Sequence, residues 1–426
     1  MQDSLHKLNG GNRTLLAISA AYLLWLLVVL ITVGYTPTND GDGYLEYARY
    51  CLGEGSPYPT TSLYSNVPFI WNIGIINLCE LSLWLTGSVV PLLVLLCVMK
   101  SATALFMSLT ARHLFGRRVA VISLLLFVVY PNNWGQSTML SSEIPSTCLA
   151  VVSVYLAVCR RRMFISGLLL ALANWFRPTA AIFLVSIVAY IVLCQRRGSL
   201  RRVLTMASGY VLFIAIVGTS TLLRTGHFVY QARSYWFSMV DECYDGAVVA
   251  PHWGQPIWPE GTPRYIDGHE HMDCFQFERI WRKRSMEWLS THKLEYMKKI
   301  PGRLFYMYQS DYDNIPAFLA DKSHADNNYI TLPYRHLLSQ IRTLSAAQWL
   351  SLVCMIMYIG LLVLACLGTI SNIRRRQWHS LLLPLLIVCV GTMALIVVMH
   401  GETRFKDPLM PYVFIIAATY FYKYSN

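Results

Sequence analysis

Residues 14–34 read TLLAISAAYLLWLLVVLITVG, an apolar run that contains no charged side chain. A helix of about 20 residues is long enough to cross the hydrocarbon core of a bilayer. Five further runs of similar length follow, at 89–111, 178–195, 203–223, 347–370 and 379–399. Backbone groups in lipid must be paired internally, and these runs lack the alternation of barrel strands. They therefore predict an all-α polytopic membrane protein.

The composition of the whole chain agrees with this prediction. Of its 426 residues, 55% are hydrophobic and only 14% are charged, and the mean hydropathy is +0.42. Soluble domains carry about 25% charged residues, so much of this surface faces lipid. The net charge of +12 does not indicate nucleic acid, because the arginines cluster beside the apolar runs, where they report membrane orientation.

The arginine clusters predict ten crossings. Short loops retain arginine and lysine on the cytoplasmic side, and every cluster falls there if the first helix runs outward. The clusters are Arg112, Arg117 and Arg118; Arg160 to Arg162; Arg196, Arg197, Arg201 and Arg202; and Arg374 to Arg376. The predicted helices are 14–34, 89–111, 119–133, 143–159, 163–175, 178–195, 203–223, 347–370, 379–399 and 408–422. The first run exceeds the signal-peptide core of about 7–15 residues, and no clear small-residue cleavage site follows, so we expect a retained helix.

Two segments between these helices are expected on the exterior. Residues 66–87 are apolar but contain Asn72, Asn77 and Glu80, and a crossing there would invert every later loop. We therefore expect a helix that lies in the outer interface. Residues 224–346 are too rich in Trp, Tyr and His for a disordered linker, and 276–299 has helical periodicity. The chain thus divides into an N-terminal transmembrane module, 1–223, with a first exterior loop at 35–88, an exterior region, 224–346, and C-terminal helices, 347–426.

Two acidic groups lie on the predicted exterior face. Asn39-Asp40-Gly41-Asp42-Gly43-Tyr44 follows the first helix, and its residue types favour a turn. In such a turn the carboxylates of Asp40 and Asp42 can converge on a cation, a hydroxyl or a sugar. Glu143 begins the fourth helix. It can offset the helix dipole, with Ser141 or Ser142 as cap, or supply another carboxylate to the same site.

Basic residues on the same face depart from the orientation rule. Arg177 lies in the turn between the fifth and sixth helices, and His400, Arg404 and Lys406 lie with Glu402 between the last two. Guanidinium groups suit phosphate. These residues therefore predict a site for a lipid phosphate.

Other candidates carry less information. His269, His271 and Asp273 have no partner motif with zinc spacing. Cys51, Cys79, Cys243 and Cys274 can pair in three ways in an oxidising compartment. We find no phosphate-cradling Walker loop and no nucleophile elbow. No internal repeat is evident, which disfavours a transporter built from symmetric halves.

In order along the chain, these motifs resemble the GT-C class of polytopic glycosyltransferases, specifically the family of dolichyl-phosphate-mannose protein mannosyltransferases and the lipid A aminoarabinose transferase. The segments that carry the resemblance are Asp40-Gly41-Asp42-Gly43-Tyr44 with Ala48 and Gly53; Leu114 to Ala120, Tyr130-Pro131 and Ser142-Glu143; Phe176-Arg177-Pro178-Thr179-Ala180; and Glu402-Thr403-Arg404-Phe405 with Pro408 and Pro411. The exterior region matches only loosely, around 285–313.

The resemblance implies an inverting transfer of sugar from a polyprenyl-phosphate donor. It implies Asp40 as general base, Asp42 and Glu143 as further catalytic groups, and Tyr44 and Glu402 beside the substrate. Arg404, Lys406, His400 and Arg177 would bind the donor phosphate, and Asp40, Asp42 and Glu143 would hold a divalent ion if one is used. The acceptor, whether lipid, glycan or protein, stays open. The alternatives are a flippase for lipid-linked sugar and a glycan ligase or polymerase with a diphosphate donor. We expect a bacterial plasma membrane, with the site on its exterior face.

Overall fold

The computed structural model describes residues 2–54, 69–194, 198–244, 263–315, 341–399 and 401–422, and every regular element within them is a helix. The N-terminal part contains α1 (Gln2–Val33), α2 (Asn39–Glu54), α3 (Ile73–Thr86), α4 (Val90–Phe115), α5 (Arg117–Val129), the one-turn α6 (Asn132–Gly135), α7 (Glu143–Val158), α8 (Met163–Phe176), α9 (Ala181–Cys194) and α10 (Ser199–Thr225). The exterior region contains α11 (Tyr235–Tyr244), α12 (Cys274–Thr291) and α13 (Lys293–Tyr308). The chain continues with α14 (Ala346–Arg374), α15 (Trp378–Val398) and α16 (Met410–Thr419).

Each of the ten predicted crossings coincides with one of these helices. Five helices have the length and hydropathy of a membrane span: 12–33 within α1, then α4, α10, α14 and α15. The segments α7, α8, α16 and 178–194 are shorter apolar helices. The third predicted helix, 119–133, ends earlier than expected, because the chain bends by 65° between Val129 and Asn132. The protein is an integral membrane protein, and the number of crossings stays a prediction.

The bundle is closed by pairing of distant helices. α4 packs on α1, α5 and α7, and α8 packs on α7 and α10. α16 packs between α14 and α5, which joins the C-terminal helices to the N-terminal module. The α8–α10 contact depends on Gly167 and Gly209, since a Cβ at either would lie about 2 Å from a carbonyl oxygen of the other helix. Small residues of this kind allow helix backbones to approach closely in membranes.

The first arginine cluster and the acidic motif lie at opposite ends of α1, as predicted. At the N-terminal end of α1, Arg112 donates a hydrogen bond to Asn12, and Arg117 lies 3.5 Å from the Thr14 hydroxyl. At its C-terminal end, Tyr35 contacts Asp42 in the acidic motif. Arg112 and Arg117 are therefore at the opposite end of α1 from the acidic motif, and the compartment that each end faces stays a prediction.

The helix α3 lies within the predicted interfacial segment. Its 14 residues span about 21 Å, which is short of the roughly 30 Å hydrocarbon core. It packs against α2, α4 and α8, while Trp84 and Leu85 near its end are 72% and 63% exposed. α8 is equally short, so length does not separate the two helices, and the interfacial placement of α3 stays a prediction.

Candidate active site

A cavity of about 840 Å³, here called the main cavity, lies between the exterior helices and the adjoining end of the bundle. Asp40, Asn72, Arg177 and Arg404 supply polar groups to its lining. Aromatic side chains from two segments also line it: Phe69, Trp71, Tyr235, Trp236 and Phe237. The helices α9 and α15 contribute apolar side chains, among them Ile182, Leu395 and Val398. The cavity thus combines charged, aromatic and lipid-like surfaces.

Asp40 and Arg404 meet in this cavity as an ion pair between guanidinium Nη1 and carboxylate Oδ2. The Nε of Arg404 also donates to Glu402, at 2.9 Å. Burial disfavours the charged guanidinium, but the carboxylates of Asp40 and Glu402 outweigh it and raise the pKa of Arg404 above its usual value. The predicted base and the predicted phosphate ligand are therefore direct neighbours.

The acidic motif forms the first turn of α2 rather than an exterior turn. Gly41 N–H donates to the Thr38 hydroxyl at 3.0 Å, which supports the helix start, and acidic side chains at this position offset the helix dipole. Successive residues are about 100° apart on a helix, so Asp40 and Asp42 point to different sides. Asp42 accepts a hydrogen bond from Tyr35 at 2.9 Å. The expected convergence of the two carboxylates is wrong.

Arg177 and Glu143 form a buried ion pair of 2.5 Å. Each is less than 10% exposed. Ser141 donates to the other Glu143 oxygen at 2.9 Å, so its hydroxyl holds the carboxylate. Ser142, which precedes α7, makes no side-chain cap. Glu143 therefore fixes Arg177 at the edge of the main cavity.

The pair continues into a hydrogen-bonded network. Arg177 donates to the Ser142 hydroxyl at 3.2 Å, and the Asn72 amide donates to the same hydroxyl at 3.1 Å. Asn72 also donates to the Tyr44 hydroxyl at 2.9 Å. Tyr44 is 1% exposed, so its hydroxyl holds Asn72 from within the protein core. Asn72 and Ser142 were not predicted as site residues, although Asn72 stood out as a polar interruption of an apolar stretch.

The last exterior turn joins Arg177 to Arg404. The ring of Phe405 lies 5.6 Å from the Arg177 guanidinium. Gly401 begins this turn against α13, where an added Cβ would lie 2.3 Å from the Arg303 carbonyl oxygen. Arg303 is itself buried and pairs with Glu242 of α11 at 2.8 Å. The exterior helices therefore determine where the Arg404 turn sits.

Lys406 lies outside the lining of the main cavity. It is fully buried, and its ammonium donates to the carbonyl oxygens of Ser310 and Thr403 at 2.6 and 2.9 Å. Its carboxylate partner is Asp311, at 3.2 Å. This placement does not bring Lys406 to the predicted phosphate site, and it gives the residue a structural environment instead. His400, the remaining predicted phosphate ligand, lies outside the described residues.

The carboxylates expected to hold a metal are engaged elsewhere. Asp40 pairs with Arg404, Asp42 accepts from Tyr35, and Glu143 pairs with Arg177. Over the described ranges, no group of three or more His, Cys, Asp or Glu side chains is arranged to hold a metal ion. The donor set therefore does not fit a divalent ion. Within the described ranges no disulfide joins any cysteines, including Cys51, Cys79, Cys243 and Cys274.

Comparison with known proteins agrees with the fold. Residues 77–222 match the family described as dolichyl-phosphate-mannose-protein mannosyltransferase. The apo oligosaccharyltransferase of Archaeoglobus fulgidus superposes with a TM-score of 0.52 and 11% identity, over 95% of this chain and 50% of that one. This chain thus spans half the length of that enzyme. ArnT of Cupriavidus metallidurans bound to undecaprenyl phosphate aligns with 13% identity and a TM-score of 0.39, over 95% of this chain and 76% of its own. Among curated proteins, none matches the chain.

The matched segment 77–222 runs from α3 to α10 and contains Glu143 and Arg177. Asp40 and Arg404 lie outside it, on either side. The shared fold covers 95% of the chain, and the roles of Asp40 and Arg404 stay a prediction. The chain is therefore similar in sequence to that mannosyltransferase family over residues 77–222, and it shares the helical membrane fold of the oligosaccharyltransferase.

Proposed function

We propose that the chain transfers a sugar from a polyprenyl-phosphate carrier to an acceptor hydroxyl, with inversion, on the non-cytoplasmic face of a bacterial plasma membrane. The observation that carries this proposal is the lining of the main cavity. Its charged groups include the carboxylate of Asp40 and the guanidiniums of Arg177 and Arg404, and apolar side chains of membrane helices lie beside them. These are the groups needed for a base, for a phosphate and for a lipid tail.

The apolar part of the lining supports a lipid-linked donor. Ile182 belongs to α9, and Leu395 and Val398 belong to α15, and these two helices pack on each other. A polyprenyl chain along them would leave its phosphate at the cavity, where the guanidiniums lie. The description of the matched family, which names a dolichyl-phosphate sugar, supports the same class of carrier.

In the proposed reaction, Asp40 takes the proton of the acceptor hydroxyl as its oxygen attacks the anomeric carbon. The bond between that carbon and the phosphate oxygen breaks, and the electron pair leaves with the phosphate. Arg404 and Arg177 stabilise the charge on that leaving group, in a site partly shielded from water. Charge balance is kept, since the proton stays on Asp40 until product leaves.

Because Arg404 is paired with Asp40, binding of the donor phosphate to Arg404 also affects Asp40. The phosphodiester anion of the donor competes with Asp40 for the guanidinium, and guanidinium–phosphate pairs are strong. Donor binding would therefore release the Asp40 carboxylate as it fills the site. Glu143 is a positioning residue in this scheme, because it holds Arg177.

Each part of the chain contributes to the proposed site. The N-terminal module 1–223 supplies Asp40 and Arg177, and the C-terminal helices 347–426 supply Arg404. From the exterior region, residues 228–238, Arg264 and Glu278 line the cavity. Because the carboxylates do not fit a metal ion, no step is assigned to one.

The test is transfer of labelled sugar by the purified protein from a panel of polyprenyl monophosphate and diphosphate sugars. Transfer from a monophosphate by wild type, and none by Asp40→Asn with donor binding retained, is the expected result. Transfer that requires the diphosphate would indicate a ligase or polymerase. Donor carried unchanged across vesicles would indicate a transporter, and absence of carrier binding would overturn the transferase.

A further inference from the structure

A second cavity of about 340 Å³ lies beside the main cavity, at the start of α12. Three guanidiniums, those of Arg233, Arg279 and Arg282, line it together with the imidazole of His227. Its carboxylates are Asp273 and Glu278. The basic groups therefore outnumber the acidic ones.

Both carboxylates already have partners. Asp273 caps α12 and accepts from the N–H groups of Phe275 and Gln276, at 2.8 and 2.7 Å. Glu278 pairs with Arg233 at 2.6 Å. In the part of the chain that the structure describes, Arg279 and Arg282 have no carboxylate within ion-pair distance. Two positive charges one helical turn apart thus remain available to an anion.

The aromatic frame of this cavity holds Arg233 in place. The ring of Phe275 stacks on His227, with centroids 3.7 Å apart and planes 19° apart. The Arg233 guanidinium lies 5.1 Å from the Phe275 ring centroid. The backbone N–H of Arg233 donates to the Ile70 carbonyl at 2.7 Å. The guanidinium is therefore oriented before any ligand arrives.

The Arg233–Glu278 pair is shared between the two cavities, since both residues line each of them. Arg282 lies on the same boundary, with its guanidinium 5.8 Å from the ring of Trp236 in the main cavity. A molecule held in the second cavity is thus adjacent to the space that contains Asp40.

We infer that the second cavity binds an anionic group of the acceptor, a phosphate or a carboxylate, and that this group directs the acceptor hydroxyl into the main cavity. The anion binds Arg279 and Arg282 and competes with Glu278 for Arg233, which opens the boundary. The acceptor role rests on the proposed function; the anion site itself does not. A lipid headgroup and a phosphorylated glycan both carry such an anionic group. The cavity adjoins the end of α10 at Thr225, where a lipid headgroup would meet it.

The probe is glucose 6-phosphate, with glucose as its uncharged counterpart, titrated calorimetrically into purified protein in neutral detergent. Arg404→Ala serves as the background, because it removes the proposed donor-phosphate ligand. We expect saturable binding of glucose 6-phosphate alone, weakened about tenfold or more by Arg279→Gln with Arg282→Gln, since charge-assisted hydrogen bonds are lost. Glu278→Gln should bind at least about threefold more tightly, because it releases Arg233 and removes a like charge.

The matched control is Lys283→Gln with Lys298→Gln, which removes two exposed positive charges from α12 and α13. It should leave the affinity unchanged. Repeating the titration in nanodiscs of phosphatidylcholine with and without phosphatidylglycerol separates the sources, because competition by the anionic lipid assigns a headgroup and its absence assigns a soluble or glycan phosphate. Equal binding of glucose, no binding, or equal loss in the control would overturn the anion site. The donor assay with Asp40→Asn is independent of these outcomes.

Discussion

The guanidinium of Arg404 contacts the carboxylate of Asp40, although 364 residues separate them in the sequence. Asp40 lies in the first turn of α2, and Arg404 lies in the turn before α16. The contact brings the predicted base to the predicted phosphate ligand. Several consequences for the proposed reaction can be measured.

Arg404→Ala should weaken binding of a polyprenyl phosphate by about 10–100-fold, since hydrogen bonds to charged groups contribute about 1.5–3 kcal/mol. Arg404→Lys should recover part of this loss, because the charge remains without the fork of donors. The measurement is carrier affinity by titration. Unchanged affinity in Arg404→Ala would remove this residue from the phosphate site.

Asp40→Asn should lower the rate of sugar transfer by about 10²–10⁴-fold, the range typical of a lost general base. Asp42→Asn is the matched control, two residues along the same helix, and it should retain most activity because Asp42 contacts Tyr35 instead. Initial rates at saturating donor give the comparison. Equal losses in the two variants would contradict the assignment of Asp40.

Breaking the buried pair should destabilise the fold. Arg177→Met or Glu143→Leu alone should each cost about 3–5 kcal/mol, because a charge is left buried without its partner. The double variant should cost less than the sum of the two, since it buries no charge. Thermal unfolding in detergent measures the cycle. Additive losses would show that the two side chains do not interact.

Lys406→Met should act on stability rather than on donor affinity. Its removal leaves Asp311 buried without its ammonium partner, which costs about 3–5 kcal/mol in comparable pairs. Arg404→Ala, two residues away and partly exposed, should unfold at nearly the wild-type temperature. A folded Lys406→Met protein with weakened carrier binding would return Lys406 to the phosphate site.

Asp407 should make stability depend on pH. Burial, followed by the negative charge of Asp311, raises the pKa of Asp407 to about 7, and its carboxylate accepts from Gln136 at 2.6 Å. The native state therefore holds a proton that the unfolded chain releases near pH 4. Stability should fall as the pH rises from about 4 to about 7, and change little above that.

Asp407→Asn mimics the protonated side chain, so it should flatten this dependence. The unfolding temperature measured between pH 4 and 8 provides the test. A wild-type melting temperature that rises over the same interval would contradict the direction of the shift.

The elements of the fold could be predicted because they depend on local composition. The ten helices predicted to cross the membrane each coincide with a helix, and the helical periodicity of 276–299 falls on α12 and α13, which are separated at His292. The bend after Val129 was not predicted, because the apolar run extends past Val129 to Tyr130 and Pro131. The basic candidate residues on the predicted exterior face stood out because positive charge there departs from the orientation rule, and their roles stay a prediction.

The directions of the side chains could not be predicted in the same way. Asp40 and Asp42 were expected to converge, yet the glycine-rich segment became a helix that points them apart. Arg404 and Lys406 lie in a 3₁₀ turn, where residues two apart are about 240° apart. The Arg404 guanidinium therefore enters the main cavity, whereas the Lys406 ammonium enters the core. Asp311, the partner of Lys406, had no signal in the sequence.

A ribosome that has just translated Asp40 must add 364 residues before Arg404 exists. At an elongation rate of about 5–20 residues per second, this takes about 20–70 seconds. During that time, a nascent chain already inserted in the membrane has the acidic half of the site without the basic half. In the reaction proposed above, such a chain could not divert the lipid-linked donor. Two separately expressed fragments, divided within the exterior region, would regain activity only by assembling with each other.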